Sequence, residues 1–265
     1  MKKLLFLILC NLFVLICFSQ VKNGEYKEYY ENGRLRSISF YKNGKLDGEY
    51  KWYYENGKLK LIGYYKGDKK EGEYKGYYEN GKLKEISYYN DDYEYGDRKT
   101  YDSIGTLKVI RISEGDKING EYKGYYENGK LKEVGVYKDG KKEGEFKGYY
   151  ENGQLTGIAF YKDNKVEGEV KVYHNNGQLM GILFFKNDKK EGEFKGYYEN
   201  GQLKQIGFCK ADKKEGEFKE YYENGHLKEF GYYKDDKKEG EWKEYDENCK
   251  LQAIRYYKNG KEIIP

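Results

Sequence analysis

Along residues 24–263 apolar and polar positions alternate with a period near two, and glycine interrupts the alternation at regular intervals. Gly stands at 24, 48, 72, 96, 120, 144, 168, 192, 216 and 240, always 24 residues apart with no insertion. Counting that Gly as position 1 of a unit, Lys at position 4, Tyr at position 6 and Leu at position 12 recur in all ten units. Position 10 is Gly in nine units and Cys249 in the last. Positions 2–7 and 12–19 are rich in Tyr, Phe and Ile, which suit a pleated, half-buried surface, so each unit predicts two short strands. Asn-Gly at positions 9–10 is a strong hairpin signal, because both residues tolerate positive φ. A second turn falls at positions 20–21, with pairs such as Asn43-Gly44, Asp139-Gly140, Asp163-Asn164 and Asn259-Gly260. No helix signal follows residue 20.

Two-residue turns at these places predict a register in which position p of the first strand faces 19−p of the second. Position 3 then opposes position 16, an aromatic ring across a glycine in four of the ten units. Turn spacings of alternately 11 and 13 residues predict a stagger of two residues for every two strands, and so a strand tilt of roughly 35° in a coiled sheet. Period-two alternation places positions 3, 7, 12, 16 and 18 on one face, and 4, 6, 13, 15 and 17 on the other. In the unit 120–143 the first set is Tyr122, Tyr126, Leu131, Gly135 and Tyr137, and the second is Lys123, Tyr125, Lys132, Val134 and Val136. Both faces are half aromatic. The expectation is an all-β fold: an elongated, open, coiled, single-layer antiparallel β-meander of ten 24-residue hairpin repeats over 24–263, with no dry core and with stability summed over neighbouring repeats.

Composition agrees. The chain has 265 residues, of which 37% are hydrophobic and 36% charged, and its apolar content leans on 34 Tyr and 12 Phe. There is too little Leu, Ile and Val for a thick closed core. The first twenty residues differ: Lys2 and Lys3 precede an apolar run from Leu4 to Phe18, and Cys17-Phe18-Ser19 offers small residues at −3 and −1 of a cut before Gln20. Residues 1–19 read as a secretory signal peptide, its apolar run short for a spanning helix, with an uncleaved N-terminal anchor as the alternative. Its removal leaves no transmembrane segment and puts the chain outside the cytoplasm: periplasm, cell envelope or medium. Without Lys2 and Lys3 the balance is 48 basic against 46 acidic residues, interleaved. Nucleic acid needs a basic field and is excluded as a partner. Cys209 and Cys249 remain in an oxidising compartment, but three strand spacings, about 14 Å, part them, and a disulfide needs Cα atoms within roughly 7 Å.

No catalytic constellation is present. His174 and His226 stand where other units have ordinary repeat residues, and no Gly-x-Gly-x-x-Gly, Walker-type loop or Gly-x-Ser-x-Gly occurs. The reading is therefore no enzyme, no cofactor and no metal. Three departures from the repeat invite attention. The unit 96–119 replaces aromatics with Arg98, Asp102, Arg111 and Ser113 on one predicted face, Arg98 opposite Arg111, as a contact for an anion or partner or as a drifted, solvated repeat. Asn90, Asp91, Asp92, Glu94 and Asp97 form a turn without lysine, a cation site or a plain solvated turn. Tyrosine rows at positions 3, 6, 7 and 18, represented by Tyr122, Tyr126 and Tyr137, either pack between repeats or grip a partner.

The pattern Gly-x-Tyr/Phe-Lys-x-Tyr-Tyr-Glu-Asn-Gly-x-Leu … Tyr-Lys-x-Gly/Asp-Lys-x-x-Gly resembles the MORN-repeat variant of bacterial antitoxin-like proteins. The resemblance covers residues 24–263. It implies paired antiparallel strands in an elongated open sheet, and uses as a scaffold, as a membrane or phosphoinositide contact, or in antitoxins. The functional expectation is an exported, non-enzymatic scaffold that binds a protein partner through its aromatic sheet face. A binder of cell-envelope glycan or lipid headgroups is the alternative, and the resemblance adds an antitoxin or immunity protein directed at an exported toxin.

Overall fold

The computed structural model describes residues 21–115 and 117–264, and the expected signal peptide lies outside them. The described residues are all β. Twenty-five antiparallel strands follow one another in a single open sheet, from Gly24–Tyr29 at one edge to Lys261–Ile263 at the other. Four strands are two-residue pieces (Lys45–Leu46, Lys165–Val166, Lys189–Lys190 and Lys213–Lys214), each followed one residue later by a six-residue strand.

The expected register holds in mid-strand. Gly120 pairs with Tyr137, Tyr122 with Gly135 and Lys123 with Val134, so position p faces 19−p. The turn at positions 20–21 also has the expected form, with both residues at positive φ: 52° and 80° for Asn43 and Gly44, 51° and 70° for Asp163 and Asn164. These are the values of a type I′ turn.

The first turn differs from expectation. Only Gly at position 10 has positive φ, and the Asn before it does not. Gly33 N–H donates to the Tyr30 carbonyl, Tyr30 N–H to the Arg34 carbonyl, and the Asn32 side chain accepts Arg34 N–H at 3.0 Å. The turn is a three-residue type I turn closed by glycine, centred on position 9. Tyr125 therefore pairs with Leu131 while Gly124 pairs with Glu133, and the residue at position 13 bulges out. A bulge inserts one residue and reverses the alternation beyond it. The faces assigned to positions 12 and 13 are exchanged as a result. The position-13 residue lies with the position-7 tyrosine, as when Lys132 Nζ sits 5.6 Å from the Tyr126 ring. The position-12 leucine lines the other face, as Leu203 does beside Ile206, Phe208, Lys219 and Tyr221.

A second irregularity removes the predicted stagger. Between units, Tyr64 pairs with Glu71 but Ile62 pairs with Lys75, so the later strand carries two extra residues around Gly72, whose φ is 73°. Those two residues cancel the difference between the turn spacings. Equivalent positions consequently stack in line: Lys51, Ile62, Lys75, Ile86, Lys99 and Ile110 form one unbroken row across the sheet. The recurrent glycine at position 1 supplies the backbone for this wide bulge.

The two faces are unequal, contrary to the expectation that neither is dry. Trp242 is completely buried, and Tyr74, Phe146 and Phe218 nearly so, all at position 3. Each ring meets the position-18 tyrosine edge to face: Tyr122–Tyr137, Tyr137–Phe146 and Phe146–Tyr161 have centroids 5.5, 5.5 and 5.1 Å apart. Where position 16 is glycine, as at Gly63, Gly135, Gly207 and Gly231, it makes room for the next ring. A Cβ on Gly231 would collide with Trp242, and one on Gly135 with Phe146. Lysine stems close the row from outside, with Lys142 Nζ 4.6 Å from the Phe146 ring and Lys238 Nζ 3.9 Å from Trp242.

Candidate functional site

The tyrosine rows singled out from sequence are largely structural. Tyr126, at position 7, donates through its phenol to the main-chain carbonyl of Tyr149 at 2.6 Å. The same tie from position 7 to position 6 of the next unit is made by Tyr30, Tyr54, Tyr78, Tyr150, Tyr198 and Tyr222. His174 keeps it, its Nε2 lying 3.2 Å from the Tyr197 carbonyl, which accounts for this histidine as a stand-in for tyrosine. Tyr122 and Tyr137 are half-buried in the ring row. Burial and the neighbouring Glu133 carboxylate, which the Tyr122 hydroxyl contacts at 3.2 Å, push the Tyr122 phenol up to about 12.

The acidic residues are engaged as well. At position 21, Asp92 Oδ1 accepts Lys70 N–H, and Asp212 and Asp236 accept Lys190 and Lys214 N–H, each at 2.7–2.8 Å. Here Asp occupies positive φ in exchange for a link to the preceding unit. At position 24, Glu143 and Glu215 accept the N–H groups of Asp163 and Asp235 in the next turn. Among the described residues no group of three or more His, Cys, Asp and Glu could hold a metal ion. The lysine-free turn is no exception: Asp91 pairs with Lys69 at 2.8 Å, Asp92 with the Lys70 amide, and Glu94 with Arg98 at 3.0 Å. A surface recess of about 520 Å³ adjoins it, lined by Lys70, Tyr89, Asp92, Tyr93, Glu94 and Gly115.

Arg98 and Arg111 are opposite one another, as the register predicts. Both have acidic partners. Arg98 reaches Glu85 at 2.6 Å and Glu94 at 3.0 Å, and Arg111 lies 3.8 Å from Glu94. Glu94 stands at position 23, where Lys70, Lys142, Lys214 and Lys238 lie over the rings of their units' junctions, so a ring-and-lysine cluster is replaced by a carboxylate-and-guanidinium cluster. Asp102 turns inward to its own loop, accepting Ile104 and Thr106 N–H and pairing with Lys108 at 3.1 Å. It does not join the two arginines.

The row that sequence reasoning passed over is at position 17. Tyr64, Val136, Phe160, Phe184, Phe208 and Tyr232 are 38–46% exposed, on the face opposite the buried rings. In nine units Glu at position 2 and Lys at position 4 flank the row as ion pairs, among them Glu121–Lys123 at 2.8 Å, Glu169–Lys171 at 2.8 Å and Glu193–Lys195 at 2.7 Å. The signal was present in the alternation, but exposure separates positions 17 and 18 only once the ring row is seen to take position 18.

An open sheet of stacked hairpins, stapled repeat to repeat and displaying periodic surface rows, defines a repeat scaffold. The MORN repeat variant model matches nine segments, 22–43, 46–66, 70–91, 118–139, 142–163, 166–187, 190–210, 214–235 and 238–261, and the chain belongs to that family. Such repeats typically bind protein or membrane lipid. The model passes over residues 92–117. No curated protein matches. Among solved structures, the crystal structure of TcdB2-TccC3-Cdc42 is 14% identical, with 86% of this chain and 13% of that chain covered and a TM-score of 0.22. The Photorhabdus luminescens Tc holotoxin pore structure is 12% identical, with 88% and 14% covered and a TM-score of 0.19. This chain thus spans about an eighth of the length of those proteins. Among the described residues no helix is long and apolar enough to cross a membrane.

Proposed function

We propose that the protein is an exported, non-enzymatic scaffold that binds a protein partner on the face carrying position 17. The observation behind this reading is the row of exposed apolar side chains from Val136 through Phe160, Phe184 and Phe208 to Tyr232, one per repeat. Exposed apolar and aromatic side chains repeated in a row are characteristic of protein contacts. Nine lysines beside the row are held by their own glutamates (Lys27, Lys51, Lys75, Lys123, Lys147, Lys171, Lys195, Lys219 and Lys243). That pairing leaves little free positive charge for anionic headgroups and favours protein over lipid or glycan. Residues 1–19 support an extracytoplasmic location, and an antitoxin role rests on family resemblance alone.

The test is capture from cell-envelope extract by the wild-type protein and by a Phe160→Glu, Phe184→Glu, Phe208→Glu triple variant, in parallel with glycan and lipid arrays. The expected result is a captured protein lost at least tenfold in the variant, whose circular dichroism stays that of the wild type. Retention of binding by the folded variant, or binding confined to the arrays, overturns the reading.

A further inference from the structure

We propose that the junction between the unit 96–119 and the unit 120–143 is a built-in hinge, dividing the array into two stiff segments. The inference rests on the ties between repeats and is independent of the partner reading. Every other junction carries side-chain hydrogen bonds across the repeat boundary. From the third unit to the fourth, Tyr78 donates to the Tyr101 carbonyl, Asn80 to Ser103 and Lys82 to Ile104, and Arg98 bridges Glu85 and Glu94. From the fifth to the sixth, Tyr126 donates to Tyr149, Asn128 to Glu151 and Lys141 to Asp163, and Lys142 N–H bonds Asn164.

From the fourth unit to the fifth, no side-chain hydrogen bond, ion pair or ring contact occurs among the described residues. The causes are visible residue by residue. Position 7 is Asp102, whose carboxylate is taken by Ile104 and Thr106 N–H and cannot donate to the Tyr125 carbonyl. Position 9 is Ile104, which has no amide to reach Glu127. Position 24 is Asn119, which turns to Glu114 in its own unit. The ring row stops at Tyr89 and resumes at Tyr122. Among the described residues main-chain bonds alone continue, through the pairs Arg111–Tyr122, Ile110–Lys123 and Val109–Gly124 and from Gly140 N–H to the Ile118 carbonyl.

Loss of the ring row does not by itself leave a junction bare. Val170 interrupts the rings again, yet Tyr150 still donates to Tyr173, Asn152 to Asn175, and Val166 N–H to Asp188. Among the described residues, only after the fourth unit are rings and side-chain ties lost together. Because the fourth unit is fastened backwards through Arg98, the array divides after residue 119. In a chain whose cohesion is a sum of neighbour contacts, the weakest interface opens first. The two segments are then able to present their faces to a partner at different mutual angles.

Hydrogen exchange of the full-length protein tests this. Amides of Leu107–Glu114 and Tyr122–Gly124 should exchange at least tenfold faster than those of Leu131–Lys138 and Phe146–Gly148. The double variant Asp102→Tyr, Ile104→Asn restores the donor at position 7 and the amide at position 9, and should remove most of that difference. The reciprocal variant Tyr150→Asp, Asn152→Ile, Glu167→Asn, Asp188→Gly removes the equivalent ties of the next ring-interrupted junction and should create a second fast-exchanging junction near residue 168. Uniform exchange in the wild type overturns the proposal, as does a reciprocal variant that leaves its junction protected.

Discussion

The hydroxyl of Tyr126 donates a 2.6 Å hydrogen bond to the main-chain carbonyl of Tyr149, 23 residues ahead. Position 7 of one hairpin thereby closes on position 6 of the next, and the tie is formed from a part-buried phenol. Replacing Tyr126 with Phe removes the donor and leaves the carbonyl behind. A net loss of about 0.5–1.5 kcal/mol is expected, measurable by urea denaturation, with faster amide exchange confined to the boundary between units 120–143 and 144–167. No stability change in Tyr126→Phe would show that the tie is incidental.

Gly231 lies beneath the Trp242 indole, and a Cβ there would run into the ring. Trp242 is fully buried, so the ring has no open space to move into. Gly231→Ala should cost about 1–3 kcal/mol through overpacking and should change the near-ultraviolet dichroism of the tryptophan. A variant as stable as the wild type would mean that the ring row tolerates looser stacking than the geometry indicates.

Tyr122 provides a pH test. Burial and Glu133 raise its phenol to about 12 from the ordinary 10.0. The unfolded chain therefore releases this proton first as pH rises. The stability contributed by the neutral phenol is fully present below about pH 10 and is lost between pH 10 and 12. Spectrophotometric titration of the folded protein should show a phenolate appearing late that is absent from Tyr122→Phe. If that variant leaves the titration unchanged, the phenol is not shielded as described.

The two cysteines of the described residues are both free, Cys209 buried at position 18 and Cys249 exposed in the last first-type turn. Burial pushes the Cys209 thiol up, which lowers its thiolate fraction and its reactivity. Alkylation under native, non-reducing conditions should modify Cys249 at least tenfold faster than Cys209. A native Cys209–Cys249 disulfide would require the sheet to fold back on itself and would overturn the topology.

Much of the architecture was legible because it is local and repeated. The 24-residue spacing of glycine, the two strands per unit and the type I′ turn at positions 20–21 follow from residue types whose backbone preferences act within a few residues. The opposition of positions 3 and 16 follows from turn symmetry. The candidate surface was less legible: Tyr122, Tyr126 and Tyr137 look like recognition residues in sequence, and neighbouring repeats absorb them. Arg98 and Arg111 look unpaired, and Glu94 supplies the missing charge from the preceding unit.

What tertiary structure decided concerns the places where local chemistry allows two answers. Asn-Gly fits both a two-residue turn and the three-residue turn observed. The second is held when Asn56 and Asn80, beyond serving their own turns, donate to the carbonyls of Glu79 and Ser103 in the next repeat. That choice sends Leu131 to one face and Lys132 to the other. Glycine at position 1 permits a wide bulge without demanding it, and the bulge forms because stacking a ring such as Phe146 between Tyr137 and Tyr161 needs equivalent positions in line. Sequence by itself determined the period, the strands and the mid-strand pairing within each unit. Contacts between repeats, which no single unit contains, determined the faces, the absence of stagger and, among the described residues, the one junction left without side-chain ties.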